Sequence, residues 1–240
     1  LMELPQLQQL FFLEQLRGEE IEFQPRILMY SIESKVNLKL ILANDLNFNE
    51  KKLKLTDLFV KEVLNFNKKY NLISKSSEKE IWNRHVLDSA QLIKYIDHKN
   101  FNSLADLGTG AGFPGIILSI FYSDIPTFHV KLYEKSKVKV KFIKAIIKKL
   151  GLNNIYIYDN DYQYHKLDAD YFVCRAFKKL PEILRISRET LKKPHKLIIM
   201  LGKSAQDELN KASKGLIYKY KLVTSITASD SKILIVDAKK

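Results

Sequence analysis

Half of the chain's eight glycines, Gly108, Gly110, Gly112 and Gly115, fall within the stretch ADLGTGAGFPGI at residues 105–116. Glycine costs chain entropy on folding, which is tolerated where φ must be positive or where something approaches the main chain closely. The stretch lies between the apolar runs SLADL and GIILSIFY, so it reads as the turn from a strand ending near Leu107 to a helix opening near Pro114. Such a unit constrains the fold strongly. Its peptide N–H groups and helix N-terminus face out from the C-terminal edge of a strand, where open α/β sheets hold their ligands.

The rest of the C-terminal part repeats the unit. FHVKLYE, NIYIY, DYFVCRA, HKLIIML and SKILIVDA are short apolar runs, interleaved with helical patterns in KVKFIKAIIKKLG and LPEILRISRETL. This alternation predicts a mainly parallel, doubly wound sheet with helices on both faces over residues 101–240. Within 131–149 lie eight lysines, while Val138, Phe142, Ile143, Ile146, Ile147 and Leu150 keep a helical stripe, so a helix with its lysines outward is expected. Upstream, TDLFVKEVLNFNKKYNLI carries apolar residues at helical spacing with Thr56 or Asp57 as cap. Ser77 followed by Glu80 is a capping-box pattern ahead of a stripe formed by Trp82, Val86, Ala90 and Ile93. Residues 56–100 thus form a helical lead-in. Residues 1–55 are an N-terminal extension of unassigned structure, in which LPQLQQLFFLEQLRG has the pattern of a short amphipathic helix.

Lys and Arg total 40 against 27 Asp and Glu, a net charge of +13 that favours an anionic partner such as nucleic acid or an acidic membrane surface. The single cysteine, Cys174, excludes an intrachain disulfide and a Cys-rich zinc site, and suits a reducing cytosol. No apolar run approaches the roughly 20 residues of a membrane span. The expectation is a soluble, cytoplasmic monomer without a metal and without a membrane partner.

The residues around the glycines narrow the ligand. A dinucleotide fingerprint G-x-G-x-x-G needs glycine or alanine where this chain has Phe113. Asp106, two residues before the first glycine, would repel a pyrophosphate at short range and attract a cation. Glu134 ends the next strand, where a carboxylate can accept both hydroxyls of a ribose. The pattern D-x-G-x-G-x-G resembles the first motif of the S-adenosylmethionine (AdoMet) methyltransferases, whose ligand carries an ammonium and a sulfonium and lacks phosphates.

Several separated blocks resemble one narrower family, the bacterial 16S ribosomal RNA (guanine-N7) methyltransferases, also called glucose-inhibited division protein B. They are NKKYNLIS (67–74), RHVLDS (84–89), DLGTGAGFPGI (106–116), YEKSKVKVKFI (133–143), LGLNNI (150–155) and CRAFKKL (174–180). The resemblance implies a Rossmann-like class I AdoMet-dependent methyltransferase fold and methyl transfer to N7 of a guanine, nucleotide 527 of 16S rRNA, in the decoding region of the small ribosomal subunit. It implies AdoMet as methyl donor and 16S rRNA or the small subunit as partner. Carried over position by position, Gly108 and Phe113 belong to the cofactor loop, Tyr162 and Gln163 follow the third strand, and Arg175 follows the fourth. Asp106, Gly110, Gly112 and Glu134 complete the expected cofactor site. Members carry Arg and then Glu after the third strand where this chain has Asp161 and Gln163, and Lys-Gly after the fifth where it has Gly202-Lys203. Backbone contacts there survive such changes more readily than side-chain ones.

N7 of guanine has a free lone pair, so attack on a sulfonium methyl needs no general base and gains chiefly from alignment and charge handling. No catalytic acid or base is assigned, and His85, Arg175 and Lys203 are the positioning candidates. Two other readings remain open: an AdoMet-dependent methyltransferase acting on a different substrate, and a non-catalytic nucleotide- or RNA-binding module.

Overall fold

The computed structural model describes residues 35–190, 193–212 and 219–238. The LPQLQQLFFLEQLRG segment lies outside them. The described part of the expected extension is helical: α1 spans Lys35–Asn44, and α2 spans Glu50–Asn67. α2 is capped seven residues before Thr56 and eight before Asp57, the caps expected from sequence. Asn49 is its cap, its side chain accepting from the Lys52 N–H, and Thr56 is a buried mid-helix residue whose hydroxyl donates to the Lys52 carbonyl. A mid-helix threonine can satisfy itself this way, so its presence alone does not mark an end.

Ser77 is not a cap either. The short helix α3, Lys75–Glu78, is capped by Ser74, which accepts from the Ser77 N–H. A π-helical turn follows at Trp82–Leu87, then a helical turn at Asp88–Ala90 and a 3-10 turn at Gln91–Tyr95. These changes of winding break the 3.6-residue period, so Leu92 and Ile96 go fully inside while Ile93 remains partly exposed.

Seven strands form one sheet in the order β3-β2-β1-β4-β5-β7-β6. They are β1 Ser103–Leu107, β2 His129–Glu134, β3 Ile155–Asp159, β4 Tyr171–Arg175, β5 His195–Leu201, β6 Lys219–Thr224 and β7 Lys232–Ala238. β1 to β5 are mutually parallel, and β7 inserts antiparallel between β5 and β6. β6 was not foreseen: KYKLVT is an edge strand with no buried residue, so it lacks an apolar run. β1 pairs with β2 on one side and β4 on the other, which makes it the switch point where ligands settle beyond the strand ends.

Helices cover both faces. α4 (Gly115–Phe121), α5 (Lys137–Leu150), α6 (Leu180–Thr190) and α7 (Ala205–Ala212) follow β1, β2, β4 and β5. Ala105, Leu107, Phe172, Cys174, Leu197 and Ile199 share a core with α6 and α7. On the opposite face α4 is buried through Ile120, packed among β2, α2 and the turn at Asp88–Ala90. Each of its buried aliphatic side chains contributes roughly 1.5–3 kcal/mol, so the lead-in helices are part of the same core rather than an appendage. α5 keeps its expected stripe and ends at Gly151 in the left-handed region (φ 62°), but Val138 is 42 % exposed. No described helix is long and apolar enough to cross a membrane.

Candidate active site

The glycine turn leaves β1 with Gly108, Gly110 and Gly112 at φ of 71°, 62° and 99°, values that L side chains rarely adopt. Sterics then divide the four glycines. A Cβ on Gly108 would lie 2.5 Å from Phe177, one on Gly112 2.5 Å from Ile116, and one on Gly115 2.2 Å from Leu132. At Gly110 the nearest atom would be the Gly108 carbonyl oxygen at 3.9 Å, so this is the glycine of the turn that faces open space. Gly108 and Gly112 are bare both for their φ and for the protein packed on them, Gly115 for packing alone, and Gly110 for its φ, with its surface left free.

Two carboxylates hold the turn. Glu134, largely buried at the end of β2, accepts the Gly110 N–H at 2.9 Å and, with its other oxygen, the Ser136 N–H at 2.8 Å. A carboxylate has about four acceptor sites, so capacity for a diol remains. Asp106 is completely buried and accepts the Gly115 N–H at 2.8 Å, tying β1 to the start of α4. Burial pushes its carboxyl up to about 6, against the Thr109 hydroxyl, the Gly115 N–H and the Arg175 charge, which favour the ionised form. Thr109 lies close enough for that, yet neither its hydroxyl oxygen nor Asp106 Oδ1 completes a hydrogen bond. The structure therefore places Asp106 as the anchor beneath the turn rather than on its open side.

Beside the turn, residues far apart in sequence converge. Arg175, at the end of β4, donates to the Arg84 carbonyl at 2.8 Å, contacts His85 Nδ1 at 2.5 Å and lies 3.5 Å from Asp88 Oδ2. Its guanidinium stands over the Phe113 ring, 5.8 Å from the centroid, and the His85 ring packs on the same phenylalanine at 5.0 Å. The π turn sets this up by carrying His85 and Asp88 to one guanidinium. Asp88 is in turn fixed by Gln91 (2.8 Å) and by the Ser225 and Thr227 hydroxyls (3.1 and 2.8 Å) from the β6–β7 connection. Ala176, the next residue after Arg175, has φ 49°, a strained backbone of the kind that clusters at working sites.

The guanidinium assigns the histidine's tautomer: Nδ1 accepts, Nε2 carries the hydrogen, and that buried N–H has no partner. Burial, then the charges of Arg175 and Arg84, lower the His85 pKa to about 3. A histidine held neutral, with its acceptor nitrogen occupied, is a poor proton acceptor and an available hydrogen-bond donor. The unfolded chain takes up this proton near 6.5 and the folded protein only near 3, so this stability is complete above pH 6.5 and is lost as pH falls. Asp106 acts oppositely, the folded protein binding its proton first as pH drops through about 6. Relative to His85→Gln, wild type should therefore lose about 1.4 kcal/mol per pH unit between 6 and 4. Urea midpoints that stay parallel for the two proteins across that range would contradict the assignment.

The remaining expected residues fall in two places. Tyr162 is buried with its ring edge-on to Phe177 at 5.4 Å, while Gln163 is exposed and its amide reaches the Tyr162 hydroxyl at 3.3 Å. Lys203 is not brought to the cluster: it is 86 % exposed and pairs with Asp230 at 3.0 Å. Cys174 is buried, and burial pushes its thiol well up. Ser225 and Thr227 carry no sequence signal, because no pattern tells which distant loop completes the shell of Asp88, and none tells that Phe177 covers Gly108. Beyond Arg175, between the ends of β4 and β5, lies a cavity of about 280 Å³ lined among others by Asp88, Phe177, Met200, Ser225 and Ile233 and by none of the turn's glycines. The edge thus offers two adjoining places, the open glycine turn backed by Glu134 and this cavity, with Arg175 at the cavity's edge. No group of three or more metal-ligating side chains occurs among the described residues.

Comparison with known proteins bears on the fold and the family. At the level of fold, the chain is similar to cofactor-bound Rv0187 from MTB (TM-score 0.59, 10% identity, 87% of this chain and 99% of that one). It is also similar to a SAM-dependent methyltransferase from Aquifex aeolicus (TM-score 0.50, 15% identity, 74% and 97%). The fold is that of the Rossmann-like methyltransferases. In sequence it is 36% identical over 181 residues to ribosomal RNA small subunit methyltransferase G of Pelagibacter ubique, covering 74% of this chain and 84% of that protein. The protein of the same name from Rickettsia felis is 36% identical over 178 residues, covering 74% and 89%. The family described as rRNA small subunit methyltransferase G matches residues 52–235, which include the glycine turn, the His85–Arg175–Asp88 cluster and the cavity. The chain belongs to the rRNA small subunit methyltransferase G family.

Proposed function

We propose that the protein transfers the methyl group of AdoMet to N7 of a guanine in 16S rRNA, nucleotide 527 in the decoding region. The observation that carries the reading is the family match over residues 52–235, which contains both halves of the site. The residues present fit the cofactor. Gly110 leaves an uncovered stretch of main chain, Glu134 stands at the strand end with acceptor capacity for a ribose, and the unpartnered Nε2–H of His85 is a donor near the turn. Gly108, Gly112, Phe113 and Asp106 shape the turn, and Tyr162, followed by Gln163, packs on Phe177, the ring that covers Gly108. When bound, AdoMet supplies an electrophilic methyl on a cationic sulfur.

The chain's own residues have little proton chemistry to do. N7 presents a lone pair, and His85, beside Arg175, has its acceptor nitrogen committed to that guanidinium. The cavity beside Arg175 has room for a purine, and the guanidinium's planar fork can meet its acceptor edge. Phe113 and the π turn hold that fork in place, which is how alignment lowers the barrier. Lys203, exposed and next in the chain to the cavity-lining Gly202, is a contact for RNA phosphate. We place the reaction in the cytoplasm, carried out by a monomer without a metal.

The decisive experiment offers labelled AdoMet and small subunits lacking the modification, and maps N7-methylguanine by chemical cleavage. Label at nucleotide 527 is expected; label at another nucleotide or in protein overturns the substrate assignment. Gly110→Val should weaken AdoMet binding at least tenfold, because a branched side chain at φ 62° covers the open main chain, whereas Gly110→Asn, which tolerates that φ, should lose less. Calorimetric titration giving wild-type affinity for the valine variant would remove the turn from the cofactor site.

A further inference from the structure

We propose that the groove between α2 and α5 is a second RNA contact, which takes an unpaired nucleobase against Tyr70. The inference rests on the rRNA reading and adds to it a place and a chemistry. The groove has a volume of about 380 Å³, room for one base, and its walls include Phe66, Tyr70, Phe142 and Ile146. Tyr70, 45 % exposed, stacks on Phe66 at 4.6 Å and 27°, and Phe66 in turn meets Phe142 at 5.0 Å. The rings form a ladder from the surface to the core, to which a base can be added. Base–aromatic stacking is favourable for every base and needs no hydrogen-bond code.

The tyrosine is held ready. Asn67, buried at the end of α2, accepts the Leu72 and Ile73 N–H groups at 2.7 and 3.0 Å and donates to the Ile73 carbonyl at 3.1 Å. This knot fixes the turn that carries Lys68, Lys69 and Tyr70, so binding there orders little that is not already ordered. It also explains a use for the block NKKYNLIS that the catalytic cluster leaves unexplained.

Charge selects the occupant. Lys69 and Lys149 line the groove, and Lys68, Lys141 and Lys148 lie on the exposed faces of the same turn and helix. Glu62 is the acid in the groove, and it is matched by Lys149 at 2.8 Å. Lys68, Lys69, Lys141 and Lys148 form no ion pair among the described residues. An apolar slot rimmed by surplus cations fits a polyanion that carries flat apolar rings, which is an RNA strand. α5 starts three residues after the Glu134 strand end, so the groove is walled by the same helix that leaves the cofactor edge.

The test uses the full chain, deproteinised 16S rRNA and small subunits, both lacking the modification. Tyr70→Ala should weaken RNA binding about tenfold and raise KM for RNA, with AdoMet affinity unchanged and the thermal midpoint lowered only by the loss of one half-exposed ring; Tyr70→Phe should bind as wild type. Lys69→Glu with Lys148→Glu, both on the surface, should reduce the slope of log affinity against log salt by about two. A photoreactive benzoylphenylalanine in place of Tyr70 should crosslink to rRNA. If wild type binds and methylates RNA while these variants match it, or if the crosslink reaches only protein or the chain's own residues, the groove is not an RNA site. If wild type neither binds nor methylates either RNA sample, the rRNA reading itself fails and the groove proposal with it.

Discussion

Gly115→Ala is expected to destabilise the protein by about 2–6 kcal/mol, although the residue opens α4 and alanine is otherwise the better helix former. The added Cβ would sit 2.2 Å from Leu132 Cδ2 and 2.7 Å from Asp106 Oδ2. Leu132 is fully buried in β2 and Asp106 in β1, so neither can retreat without moving the sheet. Overpacking of this kind costs roughly 1–3 kcal/mol. Displacing α4 also breaks the Gly115 N–H to Asp106 bond, leaving a buried carboxylate short of a donor at a cost of a further 1–3 kcal/mol. For a chain of this size the melting midpoint should fall by on the order of 10 °C. Calorimetry on Gly115→Ala beside Gly110→Ala makes the comparison sharp. Gly110 has the left-handed φ and yet open space, so its alanine variant should cost only about 1 kcal/mol. The reverse order of midpoints would refute the assignment of Gly115 to packing.

Arg175→Ala should reduce methyl transfer at least a hundredfold, the scale on which misalignment of a reacting site is felt. The loss has a second, independent readout. Burial lowers the arginine's own pKa while Asp88 and Asp106 raise it, and its charge in turn helps hold His85 far below its ordinary value. Without the guanidinium, His85 should titrate closer to 6.5, a change visible in its ring proton resonances. Asp88 would keep Gln91, Ser225 and Thr227 but lose its opposite charge, so destabilisation by roughly 3–5 kcal/mol is also expected. Arg175→Lys should recover part of the stability but little activity, because an ammonium cannot reach the Arg84 carbonyl, His85 and Asp88 together. Wild-type turnover by either variant would remove Arg175 from the site.

The parts of this molecule that follow from local chemistry were legible in its sequence. Leu107, the glycines and Pro114 mark a strand, a turn and a helix because only that geometry needs such bare backbone between two apolar runs. The stripe of α5 and the parallel strands could be read from periodicity alone. β6 could not, because an edge strand with Lys219, Tyr220 and Lys221 exposed carries no buried period. The caps at Asn49 and Ser74 were missed for a related reason: several serines, threonines and asparagines compete for each helix start, and tertiary packing selects among them.

The sequence by itself determined the fold class, the strand edge at which the glycine turn sits and the identity of the residues in that turn. The tertiary structure alone decided what each of them does. Gly108, Gly112 and Gly115 turned out to be bare for protein neighbours and Gly110 for open space, a division set by Phe177, Ile116 and Leu132, which no spacing rule connects to them. Asp106 went beneath the turn because its strand register points it at α4. His85, Asp88 and Arg175 meet because a π turn of the lead-in lies against the end of β4, some 90 residues away in the chain. Periodicity reports which side of an element is apolar, whereas a site is made by which elements are neighbours, and that is settled only when the whole core is packed.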